Sequence, residues 1–486
     1  MLDRLFAAQR QSQPTHSGAR LIAPGTEAFA LRALSARAAV RCLDLQYYIW
    51  HSDATGRYLA HEVLRAADRG VRVRVLIDDM DARSRDAVLM ALDQHPLVDI
   101  RVFNPFTVRS GILLTARELL LRGSRLNHRM HNKAWIADGR IALVGGRNIG
   151  DEYFAASKQV NFVDLDVLLA GPAVAQATHI FDRYWNSESA VPITRLRRTR
   201  RDRQSLEEVR GLLGAAAWTQ ESSEYVRRLR ETPQLHDLID RHYELVWSDG
   251  VEVIADDPRK ALKRRPEDID PGVLQSISSA FERARCDLRL ISPYFVPGAG
   301  GAAQLKRKAG DGCVVAVLTN SLAATDVAAV HGGYAKYRRP LLEAGVQLFE
   351  LKPAPEEDEG KEGEERRSPR LRLGSSRASL HTKAAIVDRE RVFVGSFNLD
   401  PRSATLNCEM GVWIADAAVA QQMQEMFAFG ATPQHSFVLS LDERGRLRWT
   451  ESVARQAIVH RRDPHASWAR RCVTWLLRHL PIESQL

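Results

Sequence analysis

Two periodicities take turns along the chain. Runs in which alternate residues are apolar predict strands, VRVRVLIDD (Val71–Asp79) being the clearest, with Val71, Val73 and Val75 on one face. Stretches with apolar residues at helical spacing predict helices, as with Leu59, Val63 and Ala66–Ala67 between Tyr58 and Arg69, where Gly70 is the stop. In order, the pattern gives a helix over Glu27–Val40, a strand at Cys42–Trp50, the Tyr58–Arg69 helix and the Val71–Asp79 strand. A short helix at Ala87–Leu92 and a strand over Val98–Phe106 follow. Strands are then expected at Ala134–Ala137 and Ile141–Val144, pivoting on Asp138-Gly139, a favoured hairpin dipeptide. A strand over Asn161–Pro172 and a helix over Ala173–Trp185 complete this half. Strand and helix in alternation predict an α/β layer on a largely parallel or mixed sheet.

The second half runs through the same order. CDLRLISPYFVP (Cys286–Pro297) answers CLDLQYYIW, and a helix leads to VVAVLTN (Val314–Asn320). A helix through Tyr337–Ala344 and a strand at Val346–Leu351 come next. A period this long is an internal duplication, not a solenoid. It divides the chain into a lead-in (1–27), a first lobe (28–186), a joining segment (187–271), a second lobe (272–440) and a C-terminal amphipathic segment (441–486). The joining segment carries six arginines between Arg195 and Arg203, read as a solvated face, with phosphate contact the alternative. Pro353–Arg370 is rich in Glu and Gly and poor in apolar residues, the composition of a disordered loop.

The duplication matters because it doubles a set of reactive side chains. HNKAWIAD (His131–Asp138) is followed by GRIALVGGRN, and HTKAAIVD (His381–Asp388) by RERVFVGSFN. Both read H-x-K-x-x-x-x-D, then six residues, Gly, a small residue, any residue and Asn. In an extended chain His131 and Lys133 share a face, as do His381 and Lys383, while Asp138 and Asp388 fall off it by parity and suit bracing of the turn. Histidine titrates near neutrality and serves as nucleophile or as general acid and base. Lysine neutralises phosphate oxygens, and the amides of Asn148 and Asn398 with the backbone after Gly145 and Gly395 supply further donors. Two such sets suggest one active site of two half-sites, with a phosphohistidine on one histidine and proton transfer by the other. The two lysines supply the positive charge, so neither metal nor cofactor is expected.

Composition narrows the setting. Apolar residues make up 45% and charged residues 27% of the 486, which excludes a disordered chain. The five cysteines are scattered without C-x-x-C spacing, which argues against a disulfide framework or zinc site and for a reducing compartment. No signal peptide is read at the N-terminus, and no run of apolar residues is long enough for a spanning helix. A net charge of +9 suits an anionic partner, nucleic acid or acidic lipid, without choosing between them. In Ala466–Leu480, Ser467, Arg471, Thr474 and Arg478 fall on one helical face and Trp468, Cys472, Trp475 and Leu476 on the other. That face can lie in a membrane interface or dock on the protein's own core.

The doubled motif resembles the hallmark of the phospholipase D superfamily, over about Ala28–Trp185 and Ser276–Met426. The resemblance implies two similar α/β/α lobes with the active site at their interface. It also implies a catalytic set of His131, Lys133, Asp138, His381, Lys383 and Asp388, assisted by Asn148, Ser396 and Asn398. The family's downstream acidic residue, which orients each histidine, matches Glu409 in the second half; in NFVDLDVLLAGP it is Asp164, with Asp166 as fallback. By the same analogy His131 is the nucleophile and His381 the acid/base, while the sequence itself leaves the order open. Gly146 stands where the second copy has Ser396, so one hydroxyl is missing from the first half-site. Within the superfamily QYYIW, AADRGVRVRVLIDD, FDRYWNS, GSFNLDPRSATLNCEMG and LPIESQL look like bacterial cardiolipin synthases of the C type. This implies phospholipid substrates, a peripheral place on the cytoplasmic face of the inner membrane, and no nucleic acid. The need for an accessory protein stays open. Alternatives are a hydrolytic phospholipase D, a nuclease of the superfamily, and a non-catalytic lipid-binding protein.

Overall fold

A computed structural model describes Leu2, Phe6, residues 14–479 and Glu483, except 84, 107–124, 197–203, 218–224, 228–243, 263–271 and 354–378. The arginine run beyond Leu196, the acidic stretch from 354 to 370 and, Glu483 apart, the terminal LPIESQL lie outside the described residues.

In chain order the strands of the first half are β1 (Ser17–Ile22), β2 (Cys42–Tyr47), β3 (Arg72–Asp78), β4 (Val98–Phe103), β5 (Ala134–Ala137), β6 (Ile141–Gly145), β7 (Phe162–Val163) and β8 (Asp166–Ala170). β9 (Ala190–Pro192), β10 (Val246–Ser248) and β11 (Val251–Ala255) lie in the joining segment. The second half supplies β12 (Asp287–Ile291), β13 (Val314–Asn320), β14 (Gln347–Leu351), β15 (Ser379–Leu380), β16 (Ala384–Val387) and β17 (Arg391–Gly395). β18 (Met410–Ala415), β19 (Ser436–Leu441), β20 (Leu447–Val453) and β21 (Gln456–His460) close the series. The strand expected over Asn161–Pro172 is two strands, broken at Asp164–Leu165.

Packing divides the chain into two units that do not follow its halves. The first comprises Met1–Ala156, Asp166–Val273 and the late segment Leu406–Ile414; the second comprises Leu274–Thr405, Ala415–Leu486 and the early segment Ser157–Leu165. Each unit therefore includes one short piece from the other half of the sequence.

The first unit holds a nine-stranded mixed sheet in the order β10-β1-β8-β6-β5-β2-β3-β4-β9, with β2, β3 and β4 parallel. Helix α1 (Gly25–Ala38) and helix α2 (Ala54–Asp68) bury Phe29, Leu59 and Val63 in one core with Leu43, Leu45 and Val73. Successive residues of β3 are buried on both faces, as a parallel strand covered on each side requires. α2 starts where the Asp53 carboxylate accepts the Gly56 amide at 2.9 Å. Only glycine fits there, since a Cβ on Gly56 would lie 1.9 Å from the His51 carbonyl oxygen.

In the second unit the order β17-β16-β12-β13-β14-β19-β20-β21 repeats β6-β5-β2-β3-β4 at its core, again with three parallel strands. β12 is preceded by helix α3 (Val273–Arg283). Helix α4 (Ala328–Ala335) and the C-terminal helix α5 (Trp468–Arg478) pack together at Gly332, where a Cβ would lie 3.1 Å from the Thr474 carbonyl oxygen. The duplication is thus structural as well as sequential.

Candidate active site

The strand β5 begins only at Ala134, and β16 only at Ala384. The histidines and lysines therefore lie in the extended segments leading in, where the alternation of a regular strand does not apply. What positions each histidine is a parallel pairing with a segment from the other half of the chain. In the first unit the Cys408 amide donates to the Arg129 carbonyl at 2.8 Å, and the His131 amide to the Cys408 carbonyl at 2.8 Å. In the second, β15 runs parallel to β7, and the amides of His381 and Thr382 both donate to the Val163 carbonyl, at 2.8 and 3.0 Å.

The residue after each paired one is acidic, and its carboxylate meets the imidazole. His131 Nδ1 lies 2.9 Å from Glu409 Oε2, and His381 Nδ1 lies 2.5 Å from Asp164 Oδ2. All four side chains are buried. This corrects the sequence expectation that each acid serves the histidine of its own half: Asp164 belongs to His381, and Glu409 to His131. Parallel pairing of the two short segments crosses the assignments, and no spacing in the sequence carries that information. A carboxylate on Nδ1 fixes the tautomer that leaves the lone pair on Nε2.

Asp166, the fallback, is a different kind of residue. It is fully buried, accepts Arg32 Nη2 at 2.9 Å and lies 3.5 Å from Arg147 Nε, which makes it the centre of a buried ion network of the first unit.

Each lysine reaches back to its own histidine. Lys133 Nζ donates to the His131 carbonyl at 2.7 Å and sits 5.4 Å from the Tyr48 ring centroid. Lys383 Nζ donates to the His381 carbonyl and lies 2.9 Å from His381 Nδ1. Both are buried. Tyr48 stands edge-on to the His131 ring at 5.1 Å, and Phe162 stands at 5.1 Å from the His381 ring. These ring neighbours were missed as individual residues, although both fall within stretches singled out in the sequence.

The motif aspartates stay with the scaffold. The Asp138 carboxylate accepts the amides of Val40, Arg41 and Cys42, the last two at 2.7 and 3.0 Å, where α1 passes into β2. Asp388 does the same for Arg285, Cys286 and Asp287, where α3 passes into β12. Both take a positive φ, 54° and 52°, as the hairpin turn requires. Burial works against ionisation of Asp388, but the three amides outweigh it and hold the carboxyl below its ordinary range. Counted beside the histidines as catalytic in the resemblance, the two aspartates brace turns in the structure, in keeping with their place at the hairpin turns.

The remaining assistants divide. Asn148 donates to the Tyr153 hydroxyl at 2.9 Å and accepts the Ile49 amide at 3.2 Å, so its side chain ties β6 to the chain after β2. Asn398 is buried, and its Oδ1 has no hydrogen-bond partner among the described residues. Ser396 is fully buried.

A second layer anchors these segments. Met130 is fixed by its amide to Asp78 Oδ2 at 2.9 Å, and Leu380 by two bonds to Asn320, at 3.0 Å through its amide and 2.9 Å through its carbonyl. Burial pushes the Asp78 carboxyl up to about 6, against the pull of Arg129 and of the Met80 and Met130 amides. Glu409 is held by Asp256, whose backbone amide donates to the Glu409 carbonyl at 2.9 Å and whose carboxylate accepts the Glu409 amide at 3.0 Å. Asp256 carries no motif and had no sequence reading.

A family model described as "Cardiolipin synthase, PLD-like domain" matches the chain twice, over residues 34–185 and 277–429. Cardiolipin synthase C of Escherichia coli (strain K12) is 39% identical over 466 residues, 94% of this chain and 93% of that one. A cardiolipin synthase of Staphylococcus aureus (strain Mu50) is 26% identical over 419 residues, 85% of this chain and 67% of its own. Among solved structures, the phosphatidylserine synthase of Haemophilus influenzae Rd KW20 matches with a TM-score of 0.58, over 90% of this chain and 92% of that one. At 16% identity that is a likeness of fold.

Proposed function

This chain belongs to the cardiolipin synthase, PLD-like domain family, and we propose that it is a phosphatidyltransferase that makes cardiolipin from phosphatidylglycerol and a second phospholipid. The observation that carries the reading is the pair of buried imidazole–carboxylate contacts, each with a lysine on the same histidine. In the first step Nε2 of His131 attacks the phosphorus of a phospholipid. A P–N bond forms, the P–O bond to the head group breaks, and the departing oxygen takes a proton from His381. In the second step a glycerol hydroxyl of phosphatidylglycerol returns a proton to His381 as its oxygen attacks, breaking the P–N bond. Lys133 and Lys383 offset the phosphate charge throughout, and Asn398 and Ser396 are the donors assigned to its oxygens. A phospholipase D differs only in admitting water to the second step.

The enzyme works, in this reading, from the cytoplasmic face of a bacterial inner membrane as a peripheral protein. Among the described residues no helix is long and apolar enough to cross a membrane.

Vesicles of phosphatidylglycerol and phosphatidylethanolamine, and separately DNA, are given to the purified protein, with products read by mass spectrometry and gel. Cardiolipin is expected; phosphatidic acid alone would make the protein a hydrolase, and nicked DNA with unchanged lipid would refute the reading. His131→Ala and His381→Ala should each lower turnover by about 10³-fold or more, with phosphohistidine trapped on His131 and no loss of activity to chelators.

A further inference from the structure

The C-terminal helix is mounted with its amphipathicity reversed. Its polar side faces the protein: Thr474 is buried, Arg470 donates to the Thr325 carbonyl, and Arg471 Nη2 donates to the Asp463 carbonyl at 2.7 Å. Its apolar side faces out, with Trp468, Trp475 and Leu476 exposed by 76%, 62% and 58%. A helix that only completed the core would present the opposite face, so the reading of a helix docked through its apolar side is corrected. Large exposed apolar side chains grouped on one element mark an interaction surface.

Beside this face lies a cleft of ≈610 Å³ lined by the helix and by the ends of β20 and β21. Seven arginines line it against a single carboxylate, Asp463. Arg338 is matched by Glu350 and Asp463, and Arg446 and Arg448 by Asp442. Arg461, Arg462 and Arg478 have no carboxylate partner among the described residues and are exposed. Tryptophan at the edge of a cationic surface is the side-chain chemistry of a bilayer interface: rings at head-group depth, guanidinium groups on lipid phosphates.

We propose that the outward face of α5 and the adjoining arginine cleft dock this protein on an anionic phospholipid bilayer. Charge decides between this occupant and a second copy of the chain. A two-fold contact through this face would set unmatched arginines against their own copies, whereas an anionic bilayer neutralises all three. The inference rests on the proposed function only in that an enzyme for bilayer phospholipids must reach a bilayer.

The test is flotation of the full-length protein with equimolar phosphatidylglycerol/phosphatidylcholine vesicles and with phosphatidylcholine alone. Wild type should float with the anionic vesicles. The W468A/W475A double variant should lose about tenfold in bound fraction, and R461Q/R462Q/R478Q should lose the preference for anionic vesicles and the sensitivity to salt. Both variants should melt like wild type and turn over detergent-dispersed phosphatidylglycerol unchanged. Undiminished flotation of both variants overturns the proposal. So does a concentration-dependent dimer that the tryptophan variant breaks while vesicle binding persists. Docking as stated, without turnover in any form of the assay, would retain this surface and remove the catalytic reading.

Discussion

The two histidine–carboxylate centres are copies with different anchors. Around His131 the acid is a glutamate at the head of β18, held by Asp256 on both sides of its peptide, and the histidine segment hangs on the ionisable Asp78. Around His381 the acid is an aspartate just beyond the two-residue strand β7, and the segment hangs on the neutral Asn320. The longer acid stands at 2.9 Å and the shorter at 2.5 Å from Nδ1, so side-chain length is compensated by where the backbone runs. Lys383 lies within 2.9 Å of the imidazole Nδ1, whereas Lys133 is placed over the Tyr48 ring. Duplication therefore preserved the imidazole–carboxylate contact and left its supports to diverge. A geometry that chemistry needs can be reached from several scaffolds; the scaffold contacts themselves are interchangeable.

The largest effects should come from breaking the crossed pairs. Glu409→Gln and Asp164→Asn should each lower turnover by about 10²-fold, since each removes the charge that orients and stabilises an imidazolium. Proton NMR adds the test of pairing. E409Q should abolish the downfield Nδ1 proton of His131 alone, and D164N that of His381 alone. The opposite outcome would restore the pairing of each acid with the histidine of its own half.

Next come the turn aspartates. Asp138→Ala and Asp388→Ala each leave three backbone amides without their acceptor and should cost about 1–3 kcal/mol of stability, read by denaturant unfolding. Turnover per folded molecule should stay near wild type. A loss comparable to that of the histidine variants would return them to the catalytic set.

The last effect, confined to a window of pH, sharpens the contrast between the two anchors. The folded Asp78 carboxyl titrates at about 6, above its ordinary 3.8, so the folded state holds a proton that the unfolded chain has released. Its contribution is full below about 4 and is lost as pH rises to about 6, with a ceiling of about 3 kcal/mol. Asp78→Asn should flatten the melting temperature over that window, while Asn320→Ala should lower it equally at every pH. Identical pH profiles for wild type and D78N would refute the assignment.

Much of this was legible in the sequence. The two motifs marked His131, Lys133, His381 and Lys383, and the hairpin dipeptide Asp138-Gly139 already placed Asp138 at a turn. The alternation of strands and helices gave the mixed α/β layers, because apolar period is a local property that a short window can display. The break at Asp164–Leu165 was not visible, since the alternation of Asp164, Leu165 and Asp166 in NFVDLDVLLAGP is also what a half-buried strand shows. Nor was the role of Asp166, whose partners Arg32 and Arg147 lie far from it in the chain.

By itself the sequence determined the chemistry available: two histidines, two lysines and two acids, in two copies of one pattern of elements. Only the tertiary structure decided which acid serves which histidine, and which face of the C-terminal helix meets solvent. Both depend on pairing between segments distant in the chain. Such pairing is fixed by the total of hydrogen bonds and buried surface across a unit, and a local pattern of residues does not encode that total.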